Sequence, residues 1–281
     1  MANQPTYLTA LRQGQDQLTA AHQDPSAAQY LLTEAHGWTF TQLVLHYRAV
    51  MSAAEAQTFR AQLDRVAAGE PAQYVLGRAN FYGRDFAVTP ATLIPRQETE
   101  ELVGWILAAT DDETPLSVLD IGTGSGAIAV TLKAERPKWT VTASDISTGA
   151  VAVARTNAQR LAAPVELVTG DLFAPVSGRR FDVIVSNPPY IDRDETAVMD
   201  ASVKRYEPDQ ALFAANHGLA FYQRFADSLA TYLLPGGQFF AEIGYRQGPA
   251  VKAIFTTALP AATVTIRQDI NGHDRMVHVQ L

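Results

Sequence analysis

A chain of 281 residues is long enough for one large domain or two ordinary ones, and with 47% hydrophobic and 18% charged residues it can bury a sizeable core. The absence of cysteine excludes disulfide scaffolds, zinc ribbons and thiol catalysis. A formal net charge of −7 disfavours a broad nucleic-acid footprint. No run of about 18 apolar residues could span a bilayer, and Met1 to Leu18 lacks an apolar signal-peptide core, so a cytoplasmic protein is expected.

Residues 1–89 hold six Arg, no Lys and seven Asp or Glu, and they are rich in the helix formers Ala, Gln and Leu. Apolar side chains recur there at helical spacing: Tyr7, Leu8, Leu11 and Leu18, then Tyr30, Leu31 and Leu32. Leu43, Val44, Tyr47 and Val50 follow, then Phe59, Leu63 and Val66. With Asp24-Pro25 and Gly37 as breaks, this predicts a bundle of four or five short helices over 1–73, with these apolar residues as its core. From Gln73 to Val88 the period changes. Tyr74, Leu76, Phe81, Tyr82, Phe86 and Val88, with Gly77 and Gly83 between them, predict a hairpin linker over 74–89.

Beyond Leu116, strand-like runs alternate with helical ones. Strands are expected at Ser117–Ile121, Thr140–Ser144, Val165–Thr169, Phe181–Ser186 and Gly237–Ile243. Helices are expected at Ala127–Glu135, Ala150–Leu161 and Leu219–Leu233. Ala262–Gln268 and Arg275–Leu281 read as a final antiparallel pair turned at Asn271-Gly272. The alternation predicts an α/β domain over 90–281, with a mostly parallel, Rossmann-like sheet covered by helices on both faces.

The first of these strands runs into Gly122-Thr123-Gly124-Ser125-Gly126. Glycines after a strand let the backbone turn sharply and approach a ligand without a Cβ clash. The spacing is neither the dinucleotide fingerprint nor, without a following Gly-Lys-Ser/Thr, a P-loop. Asp145 ends the next strand, 23 residues after Gly122, where a carboxylate can accept hydrogen bonds from both hydroxyls of a ribose. Strand, glycines and spaced acid together point to a nucleoside cofactor. A helix-capping role is the alternative for Asp145.

Phe181–Ser186 ends in Asn187-Pro188-Pro189-Tyr190. Two consecutive prolines cannot continue a central strand, so they fix a stiff loop at the same sheet edge as the glycines. A planar NH₂ is a poor nucleophile because its lone pair is delocalised. The side-chain oxygen of Asn187 and the carbonyl of Pro188 can each accept one of its hydrogens, which orients the nitrogen and favours positive charge on it. Tyr190 can stack on the planar group and on a nearby cation. This pattern points to methylation of a planar nitrogen by S-adenosylmethionine, and by itself does not separate adenine, guanine and glutamine targets.

With these motifs the chain resembles the release factor glutamine N5-methyltransferases, which modify the Gly-Gly-Gln glutamine of peptide chain release factors. The resemblance runs from about Gly69 to the end. It includes Asn80-Phe81-Tyr82-Gly83, Leu93-Ile94-Pro95-Arg96-Gln97-Glu98-Thr99-Glu100, Gly170-Asp171-Leu172-Phe173, Glu207-Pro208, Glu242-Ile243-Gly244-Tyr245 and Asp269-Ile270-Asn271-Gly272 with Asp274-Arg275. It implies that Gly122, Thr123, Gly124, Ser125 and Gly126 wrap the methionine and ribose of S-adenosylmethionine, that Asp145 binds the ribose hydroxyls, and that Asp171-Leu172 lies along the adenine. It also implies that Asn187, Pro188, Pro189 and Tyr190 hold the target glutamine. Gln97 stands where the family commonly has proline, and Leu172 where some members have tryptophan, which leaves an aliphatic contact in place of a stacked ring.

The remaining candidates are weaker. The histidines at 22, 36, 46, 217, 273 and 278 show no metal-ligand spacing, so no metal is expected. Glu98, Glu100 and Glu101 read as acids opening a helix, with cofactor contact as the alternative. Arg179-Arg180 and Lys204-Arg205 read as solvated loop charges. Residues 1–89 carry a net −1 and residues 90–281 a net −6, so the acidity lies on the part that a nucleic-acid enzyme would most need positive. The expectation is a monomeric methyltransferase of release factors, with 1–73 helping to dock the substrate. It binds no nucleic acid stably and no membrane. An N6-adenine or N2-guanine methyltransferase, or a non-catalytic cofactor sensor, remains as an alternative.

Overall fold

The computed structural model describes residues 4–281, apart from the side chains at 195, 197 and 198. The first three residues of the expected 1–73 domain thus lie outside the described residues. The chain divides into two compact units, one running up to Arg78 and joined by Asp200–Tyr206, the other made of Ala79–Met199 and Glu207–Leu281.

The first unit contains α1 (Tyr7–Ala20), α2 (Ser26–His36), α3 (Phe40–His46), α4 (Ala53–Ala67) and α5 (Ala72–Leu76). Each is too short to be stable alone, so caps and packing hold it. The Thr6 hydroxyl accepts the Thr9 N–H, and Thr39 with Gln42 and Ser52 with Glu55 form capping boxes. Leu11, Leu18, Leu31, Leu32, Phe59 and Leu63 form the core as the spacing predicts. A Cβ on Gly14 would lie 2.9 Å from Leu63 Cδ1, so glycine lets α1 approach α4 closely.

Two expected core residues are instead exposed, Val44 at 41% and Val50 at 60%. In the seven-residue α3 only Leu43 is buried, and around Val50 the chain is extended and bridges Thr6. The period there is two rather than 3.6, so Met51 turns inward in place of Val50. The expected hairpin also begins later. Tyr74 and Leu76 are helical, because Gly77 at φ +69° closes α5 before the strands start.

The hairpin of β1 (Arg78–Phe81) and β2 (Arg84–Ala87) belongs to the second unit from Ala79 onward, and α6 (Gln97–Ala109) follows it. Phe81 and Phe86 meet edge to face at 5.9 Å and are buried with Leu102, Ile128 and Trp139, so the hairpin is part of a core rather than a free linker. Then come β3 (Ser117–Ile121), α7 (Ala127–Glu135), β4 (Thr140–Asp145), α8 (Thr148–Arg160), β5 (Glu166–Thr169) and β6 (Phe181–Ser186). Next are α9 (Ala201–Tyr206), α10 (Asp209–Leu212), α11 (Ala220–Tyr232), β7 (Leu233–Glu242), α12 (Gly248–Ala258), β8 (Thr263–Gln268) and β9 (Asp274–Gln280). Three helices, α9, α10 and α12, lie outside the expected ones; α9 and α10 are too short to show a helical period, whereas α12 is amphipathic and buries Val251 and Phe255. α9 belongs to the first unit, where Arg205 Nη1 and Tyr206 Oη donate to the Ala68 carbonyl. The charged pair Arg179-Arg180 is not wholly free either, since Arg179 pairs with Glu166.

The seven-stranded sheet has the order β5-β4-β3-β6-β7-β9-β8. Pairing is parallel from β5 to β7, and β9 runs antiparallel to both β7 and β8. β7 starts earlier than expected and pairs irregularly with β6, because Pro235-Gly236-Gly237 interrupts the ladder between Leu233 and Gln238. Along β6, Val183 and Val185 face one core with Leu102 and Ile128, while Ile184 faces the other with Tyr222, Phe225 and Phe239. Both faces are therefore covered, as a parallel sheet requires.

The order of strands reverses between β3 and β6, because the chain winds from β3 to β4 and β5 on one side and returns to β6 on the other. A crevice opens at such a switch point, outside the carboxyl ends of the strands. The register sharpens it: Ile121 pairs with Ser186 and with Ser144, and Ser186 pairs with Ala241. The next residues, Gly122, Asn187, Asp145 and Glu242, therefore leave or end four adjacent strands at one level.

Asp120, one residue inside that edge, is fully buried. Its Oδ2 accepts from Thr123 Oγ1 at 2.6 Å and from Ala129 N at 3.2 Å, while Oδ1 is buried without a partner. Burial pushes its pKa up to about 7 against the opposing pull of these two bonds. The folded protein thus keeps a proton that the unfolded chain releases near pH ~4. The stability contributed by that proton is fully present below about pH 4 and is lost as pH rises through about 7. In Asp120→Asn this loss should vanish, so its denaturation midpoint should gain on the wild type between about pH 4 and 7 and level off above. Parallel pH profiles in chemical denaturation would show that Asp120 carries no such proton.

Candidate active site

A cavity of about 1010 Å³, counting its open mouth, lies at this edge of the second unit. Gly122, Thr123, Gly124 and Ser125 line it, as do Asp145, Leu172, Asn187, Pro188 and Pro189, so most of the expected site residues converge. Gly122 and Gly124 adopt φ +72° and +55°, and a Cβ at either position would meet nothing within 4 Å. The loop thus presents bare backbone beside open space. Its turn is tied down by Gly122 N and Thr123 N, which donate to the Ser144 carbonyl at 2.8 and 3.0 Å.

Gly126 is placed differently from the expectation. It does not line the cavity, and a Cβ there would lie 3.2 Å from Ala154 Cβ and 3.3 Å from Val130 Cγ2. At φ +82° it caps the start of α7, and its lack of a Cβ serves the packing of that helix start against Ala154.

Asp145 stands beside the loop. Its Oδ2 accepts from Gly124 N at 2.9 Å and its Oδ1 from Ser147 N at 2.8 Å. Burial raises its pKa while these backbone bonds oppose the rise. A carboxylate has about four lone-pair sites, so each oxygen retains capacity for a further donor. Leu172 sits at φ +46°, an uncommon conformation for a branched side chain.

Asn187 is held from behind. Its Nδ2 donates to Thr99 Oγ1 at 3.0 Å, Thr99 Oγ1 donates to Glu242 Oε2 at 2.6 Å, and Tyr190 Oη donates to Glu242 Oε1 at 3.0 Å. Burial pushes the Glu242 pKa up, opposed by these two hydroxyls and by Arg275. Burial and the Glu242 charge also raise the Tyr190 pKa, so the phenol stays a donor. Tyr190 is not among the residues that line the cavity, and its hydroxyl is bonded to Glu242. Its carbonyl accepts from Gln247 Nε2 at 2.9 Å, and Gly218 passes so close that a Cβ there would lie 2.0 Å from that carbonyl oxygen.

Several residues here lay outside the site read from the sequence. Glu207 is buried, pairs with Arg96 and accepts from Ile94 N at 3.2 Å, which holds the Leu93–Arg96 segment along the cavity. Thr99 sits between Glu98 and Glu100 at the start of α6, where a threonine carries no signal of its own. Glu242 ends an apolar strand as Asp145 does, so the signal that marked Asp145 would have marked it too. Of the three acids, Glu100 accepts from Tyr82 N and Glu101 from Ile270 N, and Glu98 and Glu100 lie in the first turn of α6. Among the described residues no group of three His, Asp or Glu could hold a metal, and no helix is long and apolar enough to cross a membrane.

A family model described as "Methyltransferase small domain" matches residues 105–205, and one described as "PrmC N-terminal domain" matches residues 9–77. A protein of Enterococcus faecalis named release factor glutamine methyltransferase is 44% identical over 270 residues, covering 96% of this chain and 97% of its own. Its namesake from Lactococcus lactis is 43% identical, covering 94% and 97%. Among solved structures, a methyltransferase from Pyrococcus furiosus is similar at a TM-score of 0.52 and 19% identity, over 79% of this chain and 96% of that one, and bears on the fold alone. With a relative this close along nearly its whole length, the chain belongs to the release factor glutamine methyltransferase family.

Proposed function

We propose that this protein transfers the methyl group of S-adenosylmethionine to the side-chain amide nitrogen of the glutamine in the Gly-Gly-Gln motif of peptide chain release factors. In a member of this family, the observation that carries the reading is the pairing of Ile121 with Ser186, which puts the glycine loop and Asn187 side by side at one cavity. Donors and acceptors there suit the cofactor. Bare backbone at Gly122 and Gly124 leaves room for its methionine and ribose, Asp145 keeps lone pairs for two hydroxyls, and Leu172 offers an apolar wall for the base. When bound, S-adenosylmethionine supplies a methyl carbon attached to a positively charged sulfur.

The chain's own residues have to make an amide nitrogen reactive. Asn187 Oδ1 and the Pro188 carbonyl accept the two N–H groups of the glutamine, which aims the nitrogen and stabilises positive charge on it as the new C–N bond forms and the methyl–sulfur bond breaks, its electron pair staying on the sulfur. The methylated nitrogen then loses a proton to solvent, so no general base is required during transfer. Pro188 and Pro189 hold this pair of acceptors stiffly. Tyr190 anchors the end of the loop through Glu242.

A tripeptide offers little area against the roughly 800 Å² per partner of a specific interface. The first unit supplies a further surface, with Phe40 55% and Leu45 77% exposed on α3. The α3 region takes part in docking the release factor.

In Asn187→Ala, methyl transfer to a release factor should fall at least ~10²-fold, and near-wild-type turnover would refute the positioning mechanism. Asp145→Ala should weaken S-adenosylmethionine binding roughly tenfold or more in calorimetry; an unchanged affinity would sink the ribose assignment. Replacing Phe40 and Leu45 together by Ser should raise KM for the release factor and leave kcat unaltered. Steady-state kinetics with an unchanged KM would remove α3 from the docking surface.

A further inference from the structure

The hydrogen bonds behind Asn187 have a direction, and that direction is set at Glu242. An ionised carboxylate has no proton to give, so Glu242 accepts from both hydroxyls that reach it, Thr99 Oγ1 at 2.6 Å and Tyr190 Oη at 3.0 Å. Thr99 has one proton, and it points to Glu242. What Thr99 offers Asn187 is a lone pair, so only the Asn187 NH₂ can face it, at 3.0 Å. The amide oxygen is then the end left for a ligand. Thr99 is 5% and Glu242 2% exposed, so water does not compete for these bonds. Burial raises the Glu242 pKa, and the two hydroxyls together with Arg275, whose Nε bonds Asp269 Oδ2 at 3.1 Å, oppose that rise in favour of the charged form.

We propose that Glu242, acting through Thr99, locks the Asn187 side chain with its oxygen toward the substrate, and that these two positioning residues make the enzyme select a glutamine amide over a glutamate carboxylate. The inference rests on the reading of Asn187 as acceptor of the target nitrogen. With the lock intact, Asn187 Oδ1 and the Pro188 carbonyl are both acceptors. They attract an NH₂ and repel a carboxylate. An Asn187 turned over would present a donor, which disfavours the amide and accepts the carboxylate.

Thr99→Val keeps the shape of the side chain and removes the hydroxyl, Glu242→Gln keeps the shape and brings a donor, and Thr99→Ser restores the hydroxyl alone. The full chain is assayed for S-adenosylmethionine affinity by calorimetry and for methyl transfer to a release factor. A release factor with glutamate in place of the Gly-Gly-Gln glutamine serves as competitor. Thr99→Val and Glu242→Gln should lower kcat roughly tenfold to a hundredfold with cofactor affinity unchanged, while Thr99→Ser stays close to wild type. In the first two, inhibition by the glutamate form should strengthen relative to KM for the glutamine form.

Unchanged kcat in both variants would overturn the lock. So would a loss of kcat with wild-type discrimination between glutamine and glutamate, which is what a merely structural role gives. If Thr99→Val fails to fold, Glu242→Gln reads the same discrimination on its own. A wild-type protein that binds S-adenosylmethionine and leaves the release factor unmethylated would defeat the functional reading itself, an outcome separate from failure of the lock.

Discussion

Parallel strands share a direction, so their carboxyl ends emerge at one edge, and the pairing register decides which residues emerge together. In this sheet Ser144, Ile121, Ser186 and Ala241 stand level across four neighbouring strands. Slipping β6 by one residue against β3 would turn Val183 and Val185 to the wrong core and would carry Asn187 away from Gly122. The burial of both faces therefore does more than stabilise the sheet. By forbidding such slips it fixes the placement of every group at the cavity.

Two carboxylates end strands at that level and serve different ends. Asp145 receives two backbone N–H groups and faces the cavity, so its remaining lone pairs are open to a ligand. Glu242 receives two hydroxyls and faces inward, so its charge orders side chains. Burying an unpaired carboxylate would cost several kcal/mol, and the donors around Glu242 offset that. Asp120 keeps one oxygen unpartnered, and burial pushes its pKa up to about 7. The environment, not the residue type, assigns each acid its behaviour.

Left-handed backbone occurs both at the cavity and beside the Tyr190 carbonyl. Leu172 lines the cavity at φ +46°, a conformation that costs on the order of 1 kcal/mol or more for a residue with a Cβ. Asn216, His217 and Gly218 follow one another at φ +55°, +54° and +78°, and the last lies against the Tyr190 carbonyl. Such strain persists only where the surroundings enforce it. Here the buried core around Phe225 and Phe239 and the Gln247 bonds to Tyr190 and His217 do so.

Sequence alone determined the local parts. The strands Ser117–Ile121 and Phe181–Ser186, the helix Ala127–Glu135, the glycine turn and the stiff Asn187–Tyr190 loop all follow from periodicity, φ restrictions and the missing N–H of proline, which act between near neighbours. Local rules misplaced Val44 and Val50, because α3 is short and the following chain is extended. They also say nothing of the contacts that Gly126 makes with Ala154 and Tyr190 with Glu242, which the fold alone brings about. Only the tertiary structure decided which way the Asn187 amide faces. Its oxygen and nitrogen are nearly isosteric, and the choice between them rests on Thr99 and on Glu242, a residue 143 positions further along the chain than Thr99. A hydrogen bond's direction depends on its partner's own partner, and folding alone brings those together.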